Sequence, residues 1–146
     1  MPVDPVPLAD TVARLRRAMR KAARGADPGN PLSVAQLELL SSIAEQPGAR
    51  PGRLARTLRL APNSVTTLVN GLQSRGLVTK AHSTEDARAI ALELTDAGRA
   101  AVGRWHALNT SIVEAALTDL EPGHQRALAA ALPALHELIQ AIDAHS

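Results

Sequence analysis

The sequence predicts a mainly α-helical fold carrying one small β-hairpin. Three observations lead there. Apolar residues recur at helical spacing in six separate segments. The apolar period switches to two only once, between Leu77 and Leu94. Aromatic residues are almost absent, with no Phe, no Tyr and Trp105 alone, so the core must be Leu, Ala, Val and Ile. That composition suits helix-on-helix packing better than a β-sandwich. A chain of 146 residues can bury one real core.

Leu8 to Arg24 reads as the first helix, with Leu8, Val12, Leu15 and Met19 on one face. Arg14, Arg16, Arg17, Arg20, Lys21 and Arg24 cover the other side and the C-terminal end, where the helix dipole favours cations. Gly25 to Pro31 is a loop. Ser33 opens the second helix, and Gln36 three residues on completes a capping box. Its expected buried stripe is Leu37, Leu40, Ile43 and Ala44, and Pro47-Gly48 stops it. A short third helix starts near Pro51, with Leu54, Ala55 and Leu58 inward and Arg53 and Arg56 outward. After a turn at residues 59–61, Pro62 starts a fourth helix whose stripe is Val65, Leu68, Val69 and Leu72. Gly76 ends it in the left-handed conformation.

Leu77 to His82 and Ala89 to Leu94 read as two strands around a polar tip, Ser83 to Arg88. Ile90, Leu92 and Leu94 share one face. Thr95 caps a long fifth helix to about Thr118, with Val102, Ile112, Val113, Ala116 and Leu117 as its stripe. Pro122 opens the sixth. There Leu128, Leu132, Leu135, Ile139 and Ile142 are spaced 4, 3, 4, 3, a coiled-coil-like seam. Pro133 inside it should kink the helix. Two short helices around a tight turn, followed by a hairpin, make a winged helix-turn-helix.

Several function classes have no support. With no cysteine there is no disulfide, thiolate metal site or thiol redox sensor. His82, His106, His124, His136 and His145 show no metal-ligand spacing, so no metal or other cofactor is expected. No nucleophile motif, phosphate loop or paired-carboxylate site suggests an enzyme. Asp4 and Asp10 argue against a signal peptide. The longest apolar stretch, Ala127 to Leu135, is too short for a membrane span, which needs about 20 residues. A cytoplasmic location is expected.

Charge is distributed unevenly. Between Glu45 and Glu85 there is no carboxylate, while Arg50, Arg53, Arg56, Arg59, Arg75 and Lys80 give a local charge of +6. From Trp105 onward Arg126 stands alone against Glu114, Asp119, Glu121, Glu137 and Asp143. The middle segment suits an anionic partner, although a solvated basic face would look the same. The fourth helix adds a sharper signal. Asn63, Thr67, Asn70 and Ser74 point away from its apolar stripe, flanked by Ser64 and Thr66, with no charge before Arg75. A helix face meant only for water normally carries Lys or Glu. Small hydrogen-bonding residues can approach base edges in the major groove, where Asn reads adenine and Thr meets donors, acceptors or a thymine methyl. At the hairpin tip Asp86 and Arg88 are two apart and project to the same side, so Asp86 can hold Arg88 extended toward a narrow minor groove. A surface ion pair on a solvated turn has the same spacing. The first and last apolar stripes offer a dimerisation surface, and intramolecular core would explain them too.

The runs LSVAQLELLSSIAE, RPGRLARTLRLAPNSVTTLVNGLQSRGLV and DARAIALELTDAGRA resemble the multiple-antibiotic-resistance regulator (MarR) family. The most specific part is Asp86, Arg88, Leu94, Thr95 and Gly98, in the pattern D-x-R…L-T-x-x-G. The resemblance spans about residues 8–142. It implies a homodimeric, ligand-responsive repressor on a palindromic operator in double-stranded DNA. It implies one MarR-type domain over 1–146, with dimerisation helices at 8–30 and 105–146 and a DNA-binding region at 33–95. Major-groove contacts would fall on Pro62, Asn63, Ser64, Thr66 and Thr67, with Asn70 beside them, and the wing contact on Arg88. Arg53, Arg56, Arg75 and Lys80 would meet phosphates. Leu8, Val12, Leu15 and the Leu128–Ile142 seam would form the dimer interface. A small phenolic or anionic effector would sit by Trp105 and Met19, with Arg16 or Arg20 as anion partner, although Trp105 would serve equally as core. Thr67 stands where the family often has Arg, and Asn70-Gly71 where it often has Asp-Arg, so the operator should differ. The alternative is an interaction module of the same fold that has lost DNA binding.

Overall fold

A computed structural model describes residues 2–82 and 90–146. Six helices and one hairpin follow in the order α1 (Pro5–Ala26), α2 (Val34–Glu45), α3 (Pro51–Leu58), α4 (Pro62–Ser74), β1 (Val78–His82), β2 (Ile90–Leu94), α5 (Asp96–Leu117) and α6 (Pro122–Ala144). The mainly helical, winged arrangement expected from the sequence is present. The chain divides into two compact units, Met1–Asn109 and Thr110–Ser146.

Within the first unit the core is one cluster of aliphatic side chains. Leu39, Leu40, Ile43, Leu54, Val65, Val69, Leu72, Val78 and Leu92 are almost fully inaccessible. They come from α2, α3, α4 and the hairpin, with Val102 of α5 at the edge. Burying each such side chain contributes about 1.5–3 kcal/mol, enough to fix the layout without aromatic rings. α2 lies at the centre, against α3, α4 and β2. It therefore buries residues outside a single stripe, including Val34, Leu39 and Ser42. Ala44, expected inward, is exposed, because the stripe is displaced toward Leu39.

Local chemistry sets the element boundaries. α1 begins three residues earlier than its apolar stripe suggests. Asp4 is its N-cap, accepting the Val6 N–H at 3.0 Å, and Pro5 occupies the first turn. The Ser33–Gln36 capping box forms in both directions, with bonds of 3.1 and 3.0 Å. Both α3 and α4 end in Schellman turns. At α3 the Leu60 N–H donates to Ala55 O at 2.9 Å and that of Arg59 to Arg56 O at 3.3 Å. At α4 the Leu77 N–H donates to Leu72 O and that of Gly76 to Gln73 O, both at 3.0 Å. Gly76 has φ 73°, as its residue type allows; Arg59 takes the same region at φ 54° with a Cβ to accommodate. β1 and β2 pair antiparallel, Val78 opposite Leu94 and Lys80 opposite Leu92. Ala49 forms an isolated bridge to Leu92, so the Pro47–Arg50 segment touches the outer edge of the hairpin. The sequence showed that segment only as a helix stop.

Thr95 joins the hairpin to α5. Its hydroxyl donates to Gly76 O at 2.6 Å and accepts the Gly98 N–H at 3.1 Å, while its own N–H donates to Leu77 O at 3.1 Å. A Cβ on Gly98 would lie 2.1 Å from Leu77 O, so only glycine lets α5 pass this close. The L-T-x-x-G run of the sequence is this joint.

In the second unit, α6 runs from Pro122 to Ala144 with Pro133 inside it. Gln125 donates to Leu117 O at 2.8 Å and Leu120 O at 3.2 Å, closing the turn before it. Leu128, Leu132, Leu135, Ile139 and Ile142 are all exposed on α6, at 37–56%. Among the described residues no helix is long and apolar enough to cross a membrane.

Candidate nucleic-acid interface

The site is built on α4, which is held from below by Val65, Val69 and Leu72. None of its thirteen residues is charged. Asn63, Ser64, Thr66, Thr67 and Asn70 are exposed along its outer side, and Pro62 opens its first turn. The sequence-predicted set is therefore brought together on one continuous face.

The hydrogen-bond state of that face sets what it can read. Thr66 Oγ1 donates to Pro62 O and Thr67 Oγ1 to Asn63 O, both at 3.0 Å. Their hydroxyl protons are thus directed into the helix, leaving oxygen lone pairs and methyl groups outward. Such residues accept from an exocyclic amine or touch a thymine methyl. Further along, Lys80 Nζ donates to Asn70 Oδ1 at 3.1 Å.

Gly71 has a positional reason that its sequence did not reveal. A Cβ there would lie 3.0 Å from Gln36 Nε2. The Gln36 amide is held by the capping box of α2, so the bare backbone of α4 lets the two helices approach beneath its polar face.

Basic residues frame the face. Arg53 and Arg56 are exposed on α3, Arg75 is exposed in the turn after α4, and Lys80 is exposed on β1. Asp86 and Arg88, proposed for the wing, lie outside the described residues.

The effector candidates also come together. Arg16, Met19, Arg20 and Trp105 all line a cavity of about 370 Å³, with Val12, Leu15, Glu38 and Asn109. Trp105 is half-buried there. Sequence reasoning missed Glu38. Its carboxylate lies 3.3 Å from both Arg16 Nη2 and Arg20 Nε, the second without the alignment of a hydrogen bond. The two arginines are four apart on α1, but their partner sits on the next helix, and one sequence does not reveal that register. Arg104 is likewise paired with Asp27 at 2.7 Å. Of the residues expected at a dimer interface, Leu8 is half-buried, while Val12 and Leu15 are exposed at 48% and 61%.

A model of the MarR family matches residues 32–90, from the residue before the α2 cap to the first residue of β2. Over these residues the chain is similar to the MarR family. The transcriptional repressor MdtR of Bacillus subtilis is 33% identical over 67 residues, 46% of this chain and 43% of MdtR. The chain spans about half the length of the curated relatives it matches. The fold extends further than the sequence likeness. Streptococcus pneumoniae FabT, solved in complex with DNA, superposes with a TM-score of 0.74 at 18% identity, covering 95% of this chain and 99% of FabT. The Mycobacterium tuberculosis MarR-family protein Rv2887, solved with salicylic acid, gives a TM-score of 0.71 at 25% identity, covering 90% and 98%.

Proposed function

We propose that this chain is a sequence-specific double-stranded DNA-binding transcriptional regulator, acting as a homodimer on a palindromic operator. The observation that carries this reading is the outer face of α4. It is exposed, charge-free and made of small hydrogen-bonding side chains, with Arg53, Arg56, Arg75 and Lys80 around it. Pro62, Asn63, Ser64, Thr66, Thr67 and Asn70 read base edges, the basic residues hold phosphates, and Arg88, oriented by Asp86, enters the minor groove. The apolar stripe of α6 and the exposed Val12 and Leu15 of α1 support self-association, which sets two recognition helices about 34 Å apart.

The similar transcriptional repressor MdtR supports repression as the direction of control. A small phenolic or anionic effector at the Trp105 cavity is supported by the cavity's volume and by salicylic acid in Rv2887. Here an anion must compete with Glu38 for Arg16 and Arg20. The protein acts in the cytoplasm, where its operator is.

A gel shift with the DNA upstream of its own coding sequence tests the proposal. Four phosphate-binding side chains per protomer give eight per dimer, which predicts a loss of affinity of about a thousand-fold or more between 50 and 200 mM salt. Absence of a salt-sensitive shift leaves the interaction module as the reading.

A further inference from the structure

We infer that the Lys80 ammonium locks the Asn70 amide with its oxygen toward the strand and its NH₂ toward the groove, making Asn70 a donor-only reader that selects guanine. This rests on the DNA-binding reading above and deepens it.

The hairpin register places Lys80 beside α4. Lys80 is paired with Leu92, and directly paired residues project to the same side of a hairpin. Leu92 is fully buried in the core, as is Val78 two residues before Lys80 on the same strand face. Lys80 therefore leaves the strand on its core side, and its ammonium reaches α4, where Asn70 Oδ1 accepts at 3.1 Å. The strand cannot easily withdraw, because Leu77 is bonded to Leu72 O and Thr95 to Leu77 O.

Amide chemistry does the rest. An ammonium has three donors and no acceptor, so the oxygen of Asn70 must face it. The NH₂ group is then turned away. A free Asn offers a donor and an acceptor side by side and matches adenine, which presents an N6 donor and an N7 acceptor. With its oxygen turned toward the ammonium, Asn70 presents only its NH₂ donors to the groove. Guanine presents two adjacent acceptors, O6 and N7, and no major-groove donor, so it is the matching base. Thr66 and Thr67 are biased the opposite way, toward accepting, because their protons are bonded within the helix. The face is thus polarised along its length.

Selection from a random duplex library, followed by sequencing, tests this with the whole protein. Asn70→Ala identifies the symmetric position that Asn70 reads. Wild type is expected to choose guanine there by about ten-fold, within the range of one good side-chain–base pair. Lys80→Met should shift that position toward adenine while leaving the other positions unchanged, with all sequences weakened by the lost phosphate contact. Lys80→Arg, also donor-only, should keep guanine. Circular dichroism checks that each variant stays folded. The inference is overturned if Lys80→Met retains the wild-type base at that position, if wild type selects adenine there, or if Asn70→Ala changes no position. A wild-type protein that enriches no sequence at all would remove the DNA-binding reading itself, and this inference with it.

Discussion

Replacing Gly98 by Ala adds one methyl group where α5 crosses the turn between α4 and β1. The added Cβ would sit 2.1 Å from Leu77 O, 3.1 Å from Leu77 C and 3.4 Å from Leu94 Cβ. Real Cβ atoms stay beyond 3.0 Å, so α5 and the turn must separate by at least 0.9 Å. Neither side moves alone. Leu77 O holds the Thr95 N–H, and the Thr95 hydroxyl holds both Gly76 O and the Gly98 N–H. Overpacking of this kind costs about 1–3 kcal/mol, and weakening the cap and the turn bond adds about 1–2 kcal/mol. The helix preference for Ala over Gly returns at most about 1 kcal/mol. The expected net loss is about 3 kcal/mol, or roughly 6–12 °C in Tm for a chain of this size. Gly103→Ala is the matched control. It lies in the same helix with nothing within 4 Å of an added Cβ, so it should be neutral or stabilising by up to about 1 kcal/mol. Thermal and urea unfolding at equal protein concentration measures both. If Gly98→Ala unfolds within about 0.5 kcal/mol of Gly103→Ala, close approach is not what Gly98 provides.

Thr95→Ala should cost about 1–2 kcal/mol in urea unfolding, because it removes both the α5 cap and the bond to Gly76 O, whereas Thr95→Ser should cost much less. Gly71→Ala should be close to neutral in wild type, where helix propensity is offset by the Gln36 contact, and stabilising by up to about 1 kcal/mol in a Gln36→Ala background. A double-mutant cycle with coupling below about 0.5 kcal/mol would contradict the contact. Leu132→Glu, on the exposed α6 stripe, should give a monomer in sedimentation with undiminished helix content; an unchanged oligomer would remove this stripe from the interface.

What the sequence made legible was mostly local. Ser33–Gln36, Pro51, Pro62 and Gly76 are punctuation whose partners lie within a few residues, and each marks a boundary in the structure. The polar outer face of α4 was visible for the same reason, since helical periodicity alone separates Asn63, Thr67 and Asn70 from Val65, Val69 and Leu72. What escaped depends on register between elements. Glu38 pairs with arginines 22 and 18 residues away, Gln36 packs over Gly71, and Lys80 engages Asn70 across a helix–strand joint. Periodicity places a residue on a face and does not say which residue of another element lies opposite. The central position of α2 produced the remaining error: a helix packed on several sides buries Leu39 as well as its main stripe, so a one-stripe reading shifted the boundary to Ala44.

Hydroxyl-radical footprinting on the bound operator addresses the central proposition most directly, namely that two copies of the α4 face engage successive turns of one duplex. Two protected patches related by a dyad, about 34 Å or ten base pairs apart, are the expected result, and both should disappear together in a Thr66→Asp/Thr67→Asp variant that remains folded. A single unsymmetrical patch, or a footprint unaffected by those substitutions, would contradict it.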